Sequence, residues 1–148
     1  MTRVTLQLML ALLPAIVAHV VFFGPGLLLQ LAVACPTALA CDALALRFRA
    51  RADRMDGPDG GVLVTAVLLS LCVTPLLPGW LTAAGSALAV LVGKHAFGGL
   101  DRSPFNAAMV GYAALLLAFP ADMVHWPLPL GSGTHAWTDL AAMSWRTF

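Results

Sequence analysis

The sequence predicts an all-α polytopic integral membrane protein, about five transmembrane helices followed by an amphipathic C-terminal tail. Three observations lead there. Only 10% of the 148 residues are charged, against about 25% in a soluble domain, which is too few to cover a water-facing surface. Mean hydropathy is +0.89. The apolar residues also gather into five runs bounded by Gly, Pro or charged residues, most of them near the ~20 residues that a bilayer-crossing helix needs. A single membrane domain over residues 1–148 follows, with 121–148 as its tail.

The first run, 4–23, is longer than the apolar core of a signal peptide and is followed by another apolar segment, so it reads as a spanning helix. Gly24-Pro25-Gly26 then makes a tight turn. The second run, 27–48, contains Pro36 as a potential kink and ends in an arginine-rich linker reaching Gly60. The third, 61–77, is closed by Pro75, Pro78 and Gly79, with Trp80 placed as an interfacial anchor. The fourth, 81–97, is dense in small residues (Ala83, Ala84, Gly85, Ser86, Ala87, Ala89), which let helix backbones approach closely. The fifth, 105–120, stops at Pro120. In the tail, Trp126, Trp137 and Trp145 suggest a segment lying along the membrane surface.

Charge orients these runs. If the spans alternate, Arg3, Arg47, Arg49, Arg51, Arg54, Lys94 and Arg102 fall on one side and only Arg146 on the other. Basic residues favour the cytoplasmic face. The expectation is a bacterial inner-membrane protein with a cytoplasmic N-terminus and a periplasmic tail. A net charge of +1 and the lack of a basic tract give no support to a nucleic-acid partner.

Polar residues inside apolar runs mark the places where chemistry is affordable only for a reason. His19 and Gln30 fall near the outer ends of their spans, where partial hydration satisfies them. Asp42 stands one to two turns before the arginines and is expected to pair with Arg47 or Arg49 or to cap local backbone, with an ion path as the alternative. Thr65, Ser70 and Thr74 are expected to bond back to their own helix carbonyls. Cys35, Cys41 and Cys72 match no zinc or iron–sulfur spacing and read as small apolar side chains. Asp59 before Gly60-Gly61 is placed as an N-cap, with the glycine N–H groups as an alternative ligand contact.

A polar, Gly-rich stretch caught between two apolar runs is 93–111, GKHAFGGLDRSPFNAAMVG. Lys94 and His95 suit the negative end of the preceding helix. Gly93, Gly98-Gly99 and Pro104 supply bends, and Asn106 opens the next helix, as its cap or as a partner for a flat heteroaromatic ring. Irregular backbone at membrane depth persists where it is buried or lines a cavity.

With DGGVLVTAVLLSL, TPLLPGW, GKHAFGGLDRSPFNAAMVGYAALLLAFP and the opening MLALLPAIVAHVVFFGPGLLLQ together, the chain resembles the D subunit of the Rnf electron-transport complex. It is similar, more distantly, to the B subunit of the sodium-pumping NADH:quinone oxidoreductase. The resemblance implies a flavin-bearing integral subunit of an ion-translocating redox complex, with other integral subunits as partners. In that family one FMN is joined to a Thr through a phosphoester, and a riboflavin-like flavin is held non-covalently in the membrane. The asparagines of the family's Asn-Pro-Phe-Asn-Pro string correspond to Ser103 and Asn106, and its second proline to Ala107. Non-covalent flavin contacts are therefore expected from Asn106, Ser103, Lys94, Gly98, Gly99 and Asp59. Gly131-Ser132-Gly133-Thr134 only echoes the flavinylation motif, and a turn is preferred there to FMN on Thr134. The resemblance covers the first half of the family protein, so the sequence reads as a fragment or a short form. The competing expectation is a cofactor-free structural subunit that packs with partner chains. An independent transporter is disfavoured, because broken helices in matched halves are missing.

Overall fold

The computed structural model describes residues 3–49, 60–96, 105–124 and 126. Among them there are helices and turns and no strand: α1 (Arg3–Phe23), α2 (Gly26–Arg49), α3 (Gly61–Cys72), α4 (Gly79–Val90) continued by a π-helical turn (Leu91–His95), α5 (Ala107–Ala118) and the short α6 (Pro120–Val124). The protein is all-α and membrane-embedded. Its first two helices are long and apolar enough to cross a bilayer, with mean hydropathies of 2.3 and 1.8. α1 exposes Val4, Leu6, Leu10, Leu13, Val17 and Val21, side chains that water would not tolerate in such number and lipid does.

Helix ends follow local chemistry. Gly24 takes the positive φ of 89° that the α1–α2 turn demands. α2 runs through Pro36 as one helix. α3 is shorter than the 61–77 expected: it stops at Cys72, and 73–78 forms an irregular turn around Pro75 and Pro78. Twelve residues rise about 18 Å, well short of the ~30 Å hydrocarbon core. α5 has the same length, against the expected 105–120. The cap position of α3 falls on Gly60, which has no side chain to offer; Asp59, expected as the cap, lies outside the described residues. Thr65 and Ser70 do bond back, to the carbonyls of Gly61 (2.9 Å) and Ala66 (2.8 Å). Thr74 lies beyond its helix, and its Oγ1 accepts from Leu76 N at 3.4 Å.

The core is built around α4. On one side it packs against α2, on the other against α5. The α4–α5 crossing pairs Gly93 with Ala107, Ala89 with Gly111, and Gly85 with Leu115. Each set is spaced four residues apart and the two run in opposite directions, so the helices are antiparallel with i±4 ridges meshed. Cys35 and Cys41 pack against the Ala34, Ala38, Val62, Ala66 and Val90 cluster between α2, α3 and α4. Trp80 is exposed and meets Phe119 edge-on at 5.5 Å; Trp126 is exposed and meets Phe23 at 6.0 Å.

Gln30 is buried rather than solvated, and its Nε2 donates to the carbonyl of Thr74. That carbonyl lies in the turn after α3 and also accepts from Leu77 N at 3.1 Å, so the amide is its second donor and ties α2 to the turn. Gln30→Leu should therefore cost about 0.5–1.5 kcal/mol, the net worth of one hydrogen bond, measured as the loss in chemical-denaturation stability in detergent. A loss no larger than that of an exposed α1 substitution would show that water replaces the amide. His19 is half-buried, its ring lies 5.1 Å from that of Phe23, and neither ring nitrogen has a hydrogen-bond partner among the described residues.

Candidate functional site

The charged residues of the helical interior meet at one point. Asp42 on α2 is 2% exposed and Lys94 in the π-helical turn is 4% exposed. Lys94 Nζ donates to Asp42 Oδ1 at 2.7 Å, and His95 Nε2 lies 2.9 Å from the same oxygen. A carboxylate only accepts, so the imidazole donates through Nε2–H. Asp42 thus takes its partners among the described side chains from the end of α4, whereas Arg47, expected as a partner, is exposed and the Arg49 side chain lies outside the described set. Lys94 and His95 likewise do not simply face the polar end of their helix; they turn inward.

The backbone explains how two consecutive residues reach one oxygen. Adjacent α-helical residues point roughly 100° apart. Here Ala96 N bonds back to Leu91 O at 3.1 Å, an i→i+5 closure that widens the turn. Less rotation then separates Lys94 from His95, and both side chains reach α2. Gly93, expected as a bend, lies inside this turn. A Cβ there would stand 2.6 Å from Ala107 Cα, so only glycine lets the turn press onto the start of α5.

That contact also positions Asn106. The residue caps α5, its Oδ1 accepting from Ala108 N at 3.0 Å, and its side chain is exposed. The Gly93–Ala107 contact therefore places Asn106 and the Asp42–Lys94–His95 cluster on either side of one helix crossing. Of the six residues expected to touch a flavin, the structure brings Lys94 and Asn106 into this neighbourhood, with Lys94 committed to Asp42. Ser103, Gly98, Gly99 and Asp59 lie outside the described residues, as does Thr134. Asp42 and His95 are the residues missing from that set. One signal pointed to them: Lys94 is the only lysine of the chain, and Asp42 is the only acid within the apolar runs of α1 to α5.

Comparison with known proteins agrees with this architecture. The D subunit of the ion-translocating oxidoreductase complex of Sodalis glossinidius is 42% identical over 124 residues, 84% of this chain and 36% of that protein. The corresponding proteins of Shewanella denitrificans (43% over 134 residues, 90% and 38%) and Pseudomonas aeruginosa (44% over 119 residues, 80% and 35%) are equally similar. The chain spans a little over one third of the length of these relatives. Residues 1–147 match the NQR2, RnfD, RnfE family, and the chain belongs to it.

Proposed function

We propose that this chain acts within a membrane subunit of a flavin-dependent, ion-translocating electron-transport complex, where it helps to seat a non-covalent flavin and couples electron transfer to cation movement. The observation that carries this reading is the buried Asp42–Lys94–His95 cluster one helix crossing from Asn106. Ionisable groups at membrane depth are costly to keep and typically mark ion paths. The names of the relatives, subunits of an ion-translocating oxidoreductase complex, point the same way. Other integral subunits are then the partners, in a bacterial inner membrane, with the N-terminus cytoplasmic and the tail periplasmic as the charge distribution suggests.

The fit to a flavin rests on Asn106. Its Oδ1 is used by the helix cap, while the amide N–H donors belong to an exposed side chain. A flavin would bring the electron-transfer chemistry; the chain contributes position and hydrogen bonding. Lys94 does not fit a direct flavin contact, because its ammonium is buried against Asp42. That engagement favours a second reading, a cofactor-free subunit that only packs with its partners.

One substitution separates the two readings. Ser caps a helix about as well as Asn, within a few tenths of a kcal/mol, but has no amide. Asn106→Ser should leave the melting temperature nearly unchanged and abolish flavin absorbance in the purified protein. Asn106→Ala should also lose about 1 kcal/mol of stability with the cap. A wild-type protein that purifies without flavin at full stability supports the packing-only reading and removes the flavin seat.

A further inference from the structure

We propose that Asp42 is an exchange site for a small monovalent cation of the alkali type, and that the ammonium of Lys94 is its resident occupant when no such ion is bound. The inference rests on the ion-translocating reading above and assigns that role to a particular carboxylate.

The geometry has the features such a site requires. The carboxylate is buried, so it cannot stay charged without a cation beside it. The cation it has is the tip of a flexible four-carbon tether, a point charge without a fixed bidentate geometry. Lys94 meets Asp42 through one oxygen, and His95 reaches the same oxygen from the adjacent position. When Lys94 swings away and an alkali ion takes its place, the charge at the carboxylate is conserved. The His95 ring stays on Oδ1 and keeps the carboxylate oriented. A purely structural staple has less need of such a pair, since buried ion pairs are often no better for stability than well-packed apolar residues.

No other described charge competes for this position. α3 and α4 carry no charged residue, and α5 brings only Tyr112 as a titratable group. α2 adds the thiols of Cys35 and Cys41 and, beyond Asp42, Arg47, which is exposed, and Arg49, whose side chain lies outside the described set. The π-helical turn that carries Lys94 closes through i→i+5 bonding, a local geometry that recurs at functional sites.

The sole lysine makes the test direct. The full chain in lipid nanodiscs is treated with formaldehyde and cyanoborohydride, and methylation of Lys94 is followed by mass spectrometry in sodium, potassium or choline chloride at equal ionic strength. Exchange predicts severalfold faster methylation in at least one alkali salt than in choline. In Asp42→Asn, methylation should be fast and the same in every salt. Equal rates in all salts for the wild type, including no reaction in any of them, overturn the proposal. If Asp42→Asn does not fold, Lys94→Gln provides the second arm. With the tether gone, the alkali ion should raise the melting temperature over choline at about pH 8, well above the carboxylate range. That rise should vanish in Asp42→Asn/Lys94→Gln, and equal melting in both salts again overturns the idea. Neither arm involves electron transfer, so a negative result here is distinct from a missing flavin.

Discussion

Asp42→Ala is expected to lower the stability of the folded chain by about 3–5 kcal/mol, the usual cost of removing one partner from a buried ion pair. The penalty comes from what remains. Lys94 is almost fully buried, and without Asp42 its ammonium loses its 2.7 Å contact in a region where water is scarce. Arg47 cannot compensate, having the same sign as Lys94. The Nε2–H of His95 loses its acceptor in the same step. A double substitution shows whether charge or volume is responsible. Asp42→Ala/Lys94→Met removes both charges and keeps an unbranched chain in the place of the lysine stem. It should recover much of the loss, because the two charges leave together and what persists is the lost acceptor of His95 Nε2–H. Denaturant unfolding in detergent, read by tryptophan fluorescence, measures both variants. If Asp42→Ala costs less than about 1 kcal/mol, the pair behaves like a solvated surface pair and does not organise the interior.

Much of the architecture was legible in the composition, because the membrane leaves few choices. A chain with this little charge must be helical where it meets lipid, since helices satisfy their own backbone. The Gly24 turn and the small residues of α4 could be read for the same reason: each depends on local sterics. What could not be read was pairing across distance. Asp42 and Lys94 are 52 residues apart, and Arg47 was the nearer cation in sequence. The choice between them depends on a π-helical turn, which has no reliable sequence signal. Gln30 shows the same limit. Its place near a span end suggests water, but the early end of α3 sets the Thr74 carbonyl, which also accepts from Leu77 N, within its reach. The six residues expected at a flavin divide accordingly. Asn106 caps α5, one of the two roles weighed for it. Lys94 is expected from the sequence at the end of the fourth run as a flavin contact, whereas its tether reaches into the helical interior to Asp42.

Gly111→Val should disrupt the α4–α5 crossing more severely than any other substitution along it, and the three small positions should form a graded series. A Cβ on Gly111 would lie 2.6 Å from the carbonyl oxygen of Gly85 and 2.8 Å from Ala89 Cβ. One of these neighbours is backbone, so the helices themselves must separate. On Gly93 the nearest atom is again backbone, Ala107 Cα at 2.6 Å. On Gly85 the clash is with the Cδ1 tip of Leu115, the end of a side chain that can change rotamer. Gly85→Ala should consequently cost the least, about 1 kcal/mol or below once Leu115 has moved, whereas Gly93→Ala and Gly111→Ala should each cost about 1–3 kcal/mol. Gly111→Val adds a β-branched side chain at the same contact and should exceed that range. Gly93→Ala has a second consequence. Pushing the π-helical turn off α5 moves the base of Lys94 and of His95, so its stability loss should be non-additive with Asp42→Ala, in contrast to Gly85→Ala, which should add independently. Melting of the single and double variants in one detergent gives the comparison. Equal costs at Gly85 and Gly111 would mean that the crossing is loose, and that the small residues serve some contact other than this one.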